Sequence, residues 1–323
     1  MLAERLTAQL LAGRPARDPV AVAERLLAIQ AQDPRGARLA IRARTSGLSA
    51  ADVDRALTEE RSLVVTWLNR GTLHLVRSED YAWLHALTTP PLFAGNARRL
   101  AQEGVSPRVA EKGVATIERS LAADGALTRS DLRDRLDRVG VPTKGQALVH
   151  VLMLASLRGL IVRGPMVGRQ HAYALVRDWL GPQPRLDRDR ALAELARRYL
   201  AGHGPATERD LAKWAGLPLR DARKGLAAIT GVRPRRAPLP PPRLLGAFEP
   251  LLLGWAARDW LQDADRAVSG GMFRPIALAE GKVVATWSLC DGRVVLEPFQ
   301  RLHSEVARAL AADADAAVRF LIP

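Results

Sequence analysis

The chain has 323 residues, too many for one small domain and suited to two or three. Lys and Arg number 48 against 34 Asp and Glu, a net charge of +14 with an isoelectric point near 11.1. That balance implies a polyanionic partner, most simply nucleic acid, although solvated arginine-rich faces explain part of the excess. The single cysteine, Cys290, excludes an intramolecular disulfide and a multi-thiolate zinc site.

Leu2 to Leu11 and Val20 to Ile29 have apolar residues at helical spacing. The second of these runs into Gln30-Ala31-Gln32-Asp33-Pro34, where Pro34 is expected to stop the helix and bias Asp33 to extended geometry. Leu39 to Arg44 alternates like a short strand, and Ser49 is a suitable N-cap for a helix over Ala50 to Glu60. Leu63 to Val76 is β-branched with a turn at Asn69 to Gly71 and predicts a hairpin. Ser78 is expected to cap a helix over Glu79 to Thr88.

The same cadence follows twice. Helices are expected over Val114 to Ala122, from Thr128 to Val139, and over Gly145 to Arg158 as an amphipathic helix. Leu160 to Arg163 and His171 to Val176 then form a second hairpin around a turn from Gly164 to Gln170. Arg190 to Leu200, a helix capped by Thr207, and Arg220 to Ala228 give a helix-turn-helix. Pro234 to Pro242 reads as a linker or rigid loop. Strands are expected at Leu251 to Trp255, Ile276 to Leu278, Val283 to Leu289 and Arg293 to Glu297, then a helix over Leu302 to Ala312 and a short closing strand.

This pattern predicts an α+β protein of three tandem winged-helix units with a β-rich, barrel-like C-terminal region. The expected divisions are 1–110, a first winged helix with the Gln motif; 111–180, a second with a DNA-probing hairpin; 181–233, a third; and 234–323, the β-rich region. Winged helices most often bind duplex DNA, with a helix in the major groove and the wing on phosphates or in the minor groove. The N-terminus lacks a secretory apolar core and no apolar run is long enough to span a bilayer, so the expectation is a soluble cytoplasmic protein without a membrane partner. There is no metal-ligand spacing, no GxxxxGK[ST] loop and no convincing GxGxxG, so neither a metal nor a nucleotide cofactor is expected.

The residues Ile29-Gln30-Ala31-Gln32-Asp33-Pro34 resemble the Q-apolar-Q motif of the AlkZ-like winged-helix DNA glycosylases, relatives of the YcaQ-type crosslink glycosylases, in which the second Gln position is Asp. Thr66 to Leu75, Gly164-Pro165 with Gly168-Arg169-Gln170, Gly204 to Thr207, Leu244 to Phe248 and Phe273 to Pro275 extend the resemblance in order along nearly the whole chain. Arg35-Gly36-Ala37 departs from it: family members often have prolines and an aromatic there, at the floor of the substrate pocket. The resemblance implies removal of bulky N-alkylated purines, sometimes from interstrand crosslinks, with Gln30 and Gln32 as the catalytic pair.

The chemistry fits those residue types. An N7- or N3-alkylated purine is cationic, so its glycosidic bond is weak and the base leaves without protonation. The task that remains is to position water and stabilise an oxocarbenium-like sugar, which two neutral amides suit. In an extended segment, Gln30 and Gln32 point the same way; the plainer reading is a pair of glutamines capping a helix end. Asp33 is an alternative water-activating group, facing away from the pair. No lysine stands beside the motif to form a Schiff base, so a monofunctional enzyme is expected; a monomer is expected as well.

For DNA contacts, Met166 and Val167 are expected to wedge into a minor groove, with Arg163, Arg169 and Gln170 beside them at the phosphates. Arg70, Thr72 and His74 alternate on the first hairpin and are expected to share a face towards the motif or DNA; a buried structural role for His74 fits equally well. The tryptophans are scattered and read as core. The alternative function is a non-catalytic winged-helix DNA-binding protein or regulator.

Overall fold

A computed structural model describes residues 1–168, 170–183, 186–231 and 235–322. The chain forms two compact units: Met1–Val53 together with Arg188–Pro323, and Asp54–Asp187. Along the chain, α1 spans Leu2–Ala8, α2 Pro19–Leu26, β1 Ile29–Gln30 and α3 Pro34–Arg42. Asp18 caps α2 by accepting from the Ala21 N–H at 2.7 Å, with Pro19 in the first turn. Pro34 starts a helix rather than stopping one. Its missing N–H costs nothing at the first helical position, and Asp33 supplies the cap. The strand expected at Leu39 to Arg44 is therefore helix, because Gly36 to Ile41 are buried as a continuous run rather than alternately.

α4 covers Ala50–Thr58, with Ser49 N–H donating back to Asp52 at 2.7 Å. In the second unit follow β2 (Leu63–Leu68), β3 (Thr72–Arg77), α5 (Tyr81–Thr88), α6 (Leu92–Gln102), α7 (Pro107–Asp124), α8 (Arg129–Arg138), α9 (Ala147–Leu157), β4 (Ile161–Val167), β5 (Gln170–Leu175) and α10 (Val176–Trp179). Ser78 does not cap α5; its hydroxyl donates to the Arg61 carbonyl. Thr128 caps α8 in a reciprocal box with Asp131. α9 is buried almost all round rather than amphipathic. Both hairpins of this unit join one sheet, ordered β3-β2-β4-β5, through the pairing of Val65 with Arg163.

The first unit resumes with α11 (Arg188–His203), α12 (Glu208–Ala215) and α13 (Leu219–Ala227), and Thr207 boxes α12 with Asp210. The described residues after α13, 235–242, contain no helix or strand. Then come β6 (Arg243–Leu245), α14 (Pro250–Leu253), β7 (Val268–Ser269), β8 (Met272–Phe273), β9 (Ile276–Ala279), β10 (Lys282–Cys290), β11 (Arg293–Pro298) and α15 (Ser304–Leu321). The strand expected from Leu251 is the short helix α14, capped by Glu249, and α15 replaces the expected closing strand.

The C-terminal region is not a barrel. Its sheet is open, ordered β11-β10-β9-β6, and β6 does not pair with β11. α15 packs against both of these edge strands, so the edges are managed by a helix instead of closure. A core of Leu6, Leu11, Leu245, Leu251, Trp255, Ile276 and Leu278 joins this sheet to α1. No helix among the described residues is long and apolar enough to cross a membrane.

Candidate active site

Leu27 ends α2 with a φ of +67°, a turn that sends the chain out of the helix and into extended geometry at Ile29–Gln30. Asp33 is again extended. The i, i+2 spacing brings the two amides together: Gln30 Nε2 donates to Gln32 Oε1 at 2.7 Å. Gln30 is 6% exposed, whereas Gln32 is exposed. The pair is thus anchored in the protein and open at its outer amide. A head-to-tail amide pair keeps one acceptor end, Gln30 Oε1, and one donor end, Gln32 Nε2. A water that donates to the first and accepts from the second is held at both sides, and neither amide titrates near neutral pH.

Asp33 has a different task. Its Oδ1 accepts from the Arg35 N–H at 3.0 Å, capping α3. Within Arg35-Gly36-Ala37, the glycine is fixed by close packing. A Cβ there would stand 2.4 Å from the Ala247 carbonyl oxygen, and one on Gly246 would stand 2.8 Å from Gly36 Cα. The segment Leu244 to Phe248 therefore seats its backbone directly on the first turn of α3, which no larger residue permits.

The far end of α3 is fixed by two arginines that no local sequence motif marks. Arg42 meets Asp313 at 2.6 Å. Fully buried Arg44 meets fully buried Glu249 at 2.5 Å and also donates to Gln9 and to the Ala40 carbonyl. Removing one member of such a buried pair strands the other charge. Their acidic partners lie some two hundred residues or more along the chain, so no local pattern announces them.

In the second unit, His74 is buried on β3 and its Nδ1 lies 3.0 Å from the Thr72 carbonyl. A carbonyl only accepts, so Nδ1 carries the hydrogen and Nε2 is a bare acceptor. Burial, followed by the nearby Arg70 charge, pushes the His74 pKa down to about 3. The ring is neutral at physiological pH. Thr72 and His74 keep the alternation of the strand, whereas exposed Arg70 stands in the turn with a φ of +47°. Asn69 in the same turn is fully buried, and neither atom of its amide finds a partner among the described residues. Its position in Asn-Arg-Gly reads only as a turn, so this residue was not legible beforehand.

The β4–β5 hairpin has a shorter turn than expected, because β4 runs to Val167 and pairs it with Gln170. Gly164 and Pro165 lie inside the strand at an irregularity of register. A Cβ at Gly164 would stand 2.1 Å from Trp179 Nε1, so the indole lies on the bare backbone. Val167 and Gln170 are exposed, and Met166 is half-buried with its N–H donating to Thr58. Arg163 stands back in the sheet, its guanidinium 4.8 Å from the Trp67 ring and 5.0 Å from the Tyr173 ring. Arg169 lies outside the described residues. Trp67, Trp83, Trp214, Trp255 and Trp287 are buried.

Comparison with known proteins agrees over almost the full length. The chain is similar to the interstrand DNA cross-link repair glycosylase of Streptomyces sahachiroi, 29% identical over 342 residues, covering 93% of this chain and 90% of that protein. It is also similar to the solved structure of the Streptomyces sahachiroi DNA glycosylase AlkZ, with a TM-score of 0.77 and 25% identity over 99% of this chain and 95% of that one. The family model for AlkZ-like DNA glycosylases matches residues 23–320. The chain belongs to this AlkZ-like family and is a DNA glycosylase, a hydrolase of N-glycosyl bonds.

Proposed function

We propose that the enzyme releases bulky N-alkylated purines from duplex DNA as a monomer, with interstrand crosslinks among its substrates, as the name of the Streptomyces sahachiroi relative suggests. The observation that carries this reading is the Gln30–Gln32 hydrogen bond, a pair of neutral amides whose neighbouring carboxylate, Asp33, is occupied as a helix cap. A cationic purine needs no acid to leave. As the C1′–N bond breaks, its electron pair passes to the purine and cancels the positive charge. The water held by Gln30 Oε1 and Gln32 Nε2 forms the new bond to C1′ and loses a proton to solvent. The amides orient this water rather than deprotonate it. Met166, Val167 and Gln170 at the β4–β5 turn, with Arg169, enter or flank the minor groove, and Arg70 and Thr72 flank the duplex from the first hairpin; buried His74, and Arg163 over the Trp67 and Tyr173 rings, support these surfaces from behind instead of touching DNA.

Single-turnover release of N7-alkylguanine from duplex DNA, read by alkaline cleavage at the abasic site, tests this directly. Gln30→Ala and Gln32→Ala are each expected to slow release roughly a hundredfold, since a displaced water costs about that much. Fold and duplex affinity should stay near those of the parent. Asp33→Asn should do less than either. If Asp33→Asn abolishes release while the glutamine variants keep it, a carboxylate base runs the reaction and the amide reading is wrong.

A further inference from the structure

The first unit contains a cavity of about 1270 Å³ that the Gln30–Gln32 chemistry does not use. Six arginines line it: Arg14, Arg17, Arg25, Arg197, Arg198 and Arg235. Among its described lining residues the one carboxylate is Glu24. Arg17 is answered by Asp18 at 3.0 Å and Arg197 by Glu194 at 2.7 Å, and Arg198 donates to the Glu24 carbonyl at 2.9 Å. Arg14 and Arg235 have no acidic partner among the described residues. Among the described residues, Arg25 sends Nη1 only to the Ala201 carbonyl, at 3.4 Å. Burial lowers the Arg25 pKa, and the charge of Arg235 lowers it further against the opposing pull of Glu24, so the two guanidiniums repel each other with one carboxylate nearby.

Like charges gathered around a concave wall call for an anion between them. The cavity exceeds the roughly 300–1,000 Å³ of ordinary small-molecule sites. Its arginines come from the loop before α2, α2 itself, α11 and the proline-rich segment, so they are spread rather than focused on one group. No aromatic residue lines it among the described residues, which leaves nothing there for a base to stack on. The chemistry recognised is a series of phosphates, not bases. α2 carries Arg25 and leads within a few residues to Gln30, which ties this wall to the motif.

We infer that this cavity seats the sugar-phosphate backbone of one DNA strand, a second, sequence-independent contact besides the β4–β5 hairpin. The inference rests on the reading of the enzyme as one that acts on duplex DNA. The test uses the full chain with the exposed pair Arg14→Glu and Arg235→Glu combined. A charge-matched control combines Arg293→Glu and Arg308→Glu, also exposed and outside the cavity. Lesion-free duplex affinity is measured against salt concentration. The cavity pair should weaken binding at least about tenfold and lower the salt slope by about 2, near 0.9 for each lost phosphate contact. The control pair should change the slope by much less. Arg14→Gln with Arg235→Gln repeats the measurement should the reversals unfold the chain.

Parent-like affinity and slope in the cavity variants overturn the proposal, as does an equal loss in the control pair, which would mean net charge alone. Calorimetry with inorganic pyrophosphate covers the small-anion case: tight binding that the cavity variants abolish while duplex affinity stays intact makes this a small-anion site instead. Base release separates the two readings. Normal release with no effect of the cavity pair on binding sinks this inference alone. A parent that binds duplex with the expected slope but releases no alkylated purine sinks the proposed function and leaves the cavity standing.

Discussion

The two hairpins of the second unit come from similar sequence and end in different surroundings. In β2, Leu63 to Leu68 are all buried, because β2 lies between β3 and β4 and its pleat has no solvent face. β4 begins buried at Ile161 and Val162, but reaches Val167 at 50% exposure. β-branched residues pack well on either kind of strand, so composition cannot separate them. Both strands are flanked in the sheet, so the separation lies in how far β4 runs past β2 beyond the Val65–Arg163 pairing. A strand flanked on both sides becomes interior; a strand that outruns its neighbour presents its end to solvent. The first hairpin is therefore scaffold holding His74 and Asn69, and the second is scaffold at its base with an exposed turn, the part proposed above as the DNA probe.

The sharpest way to break this comparison is to truncate one apolar residue in each hairpin. Leu68 is fully buried, and Leu68→Ala should cost about 2–5 kcal/mol of unfolding free energy by loss of contacts and the cavity left behind. Val167→Ala should fall within about 0.5 kcal/mol of the parent, as exposed substitutions do. Urea unfolding measures both. Comparable losses would mean that the β4–β5 turn is packed, and the division of roles would fail.

A smaller effect addresses function at the exposed end. Val167→Glu places a negative charge where a DNA phosphate or groove floor is expected, on a residue whose side chain bears little of the fold. Duplex affinity should drop by about 1 kcal/mol, roughly fivefold in Kd, with the unfolding midpoint unchanged. A matched Glu at exposed Gln102 on α6, Gln102→Glu, supplies the baseline for added charge. Equal losses in the two variants would remove the hairpin from the DNA contact.

What was readable in the sequence followed the range of the forces involved. Thr128 and Thr207 announced their helices because each capping box closes within four residues, with Asp131 and Asp210. The Gln30–Gln32 approach was readable because it needs only extended backbone between neighbours. Pro34 is ambiguous in sequence because proline marks either end of a helix, and the group that decides it, the Asp33 cap, is a carboxylate that also suits water activation. The run from Leu251 is ambiguous because an apolar stretch of that length fits strand or buried helix alike. Arg44 with Glu249, Gly36 with Ala247, and the arginine-lined cavity are assembled from distant segments, and no local period encodes them.

The smallest expected effect is a flat line, and it concerns the scaffold hairpin. Burial holds His74 neutral, with its pKa down from 6.5 to about 3, and His203 in the first unit is depressed to about 3 by burial among Tyr199, Trp214 and Trp255. The unfolded chain takes up protons at both below pH 6.5 while the folded chain refuses them. The folded pKa values are depressed, so this stability is present above pH 6.5 and is lost as pH falls towards 3. The urea midpoint should thus decline on acidification below neutrality, and His74→Gln should make that decline shallower by the share of one proton. Base release in the bound complex should show no inflection between about pH 6 and 8, because a ring that stays neutral can accept a hydrogen bond at Nε2 but cannot exchange its charge. A rate inflection near 6.5 that His74→Gln removes would turn the first hairpin from scaffold into acid–base machinery and end the comparison.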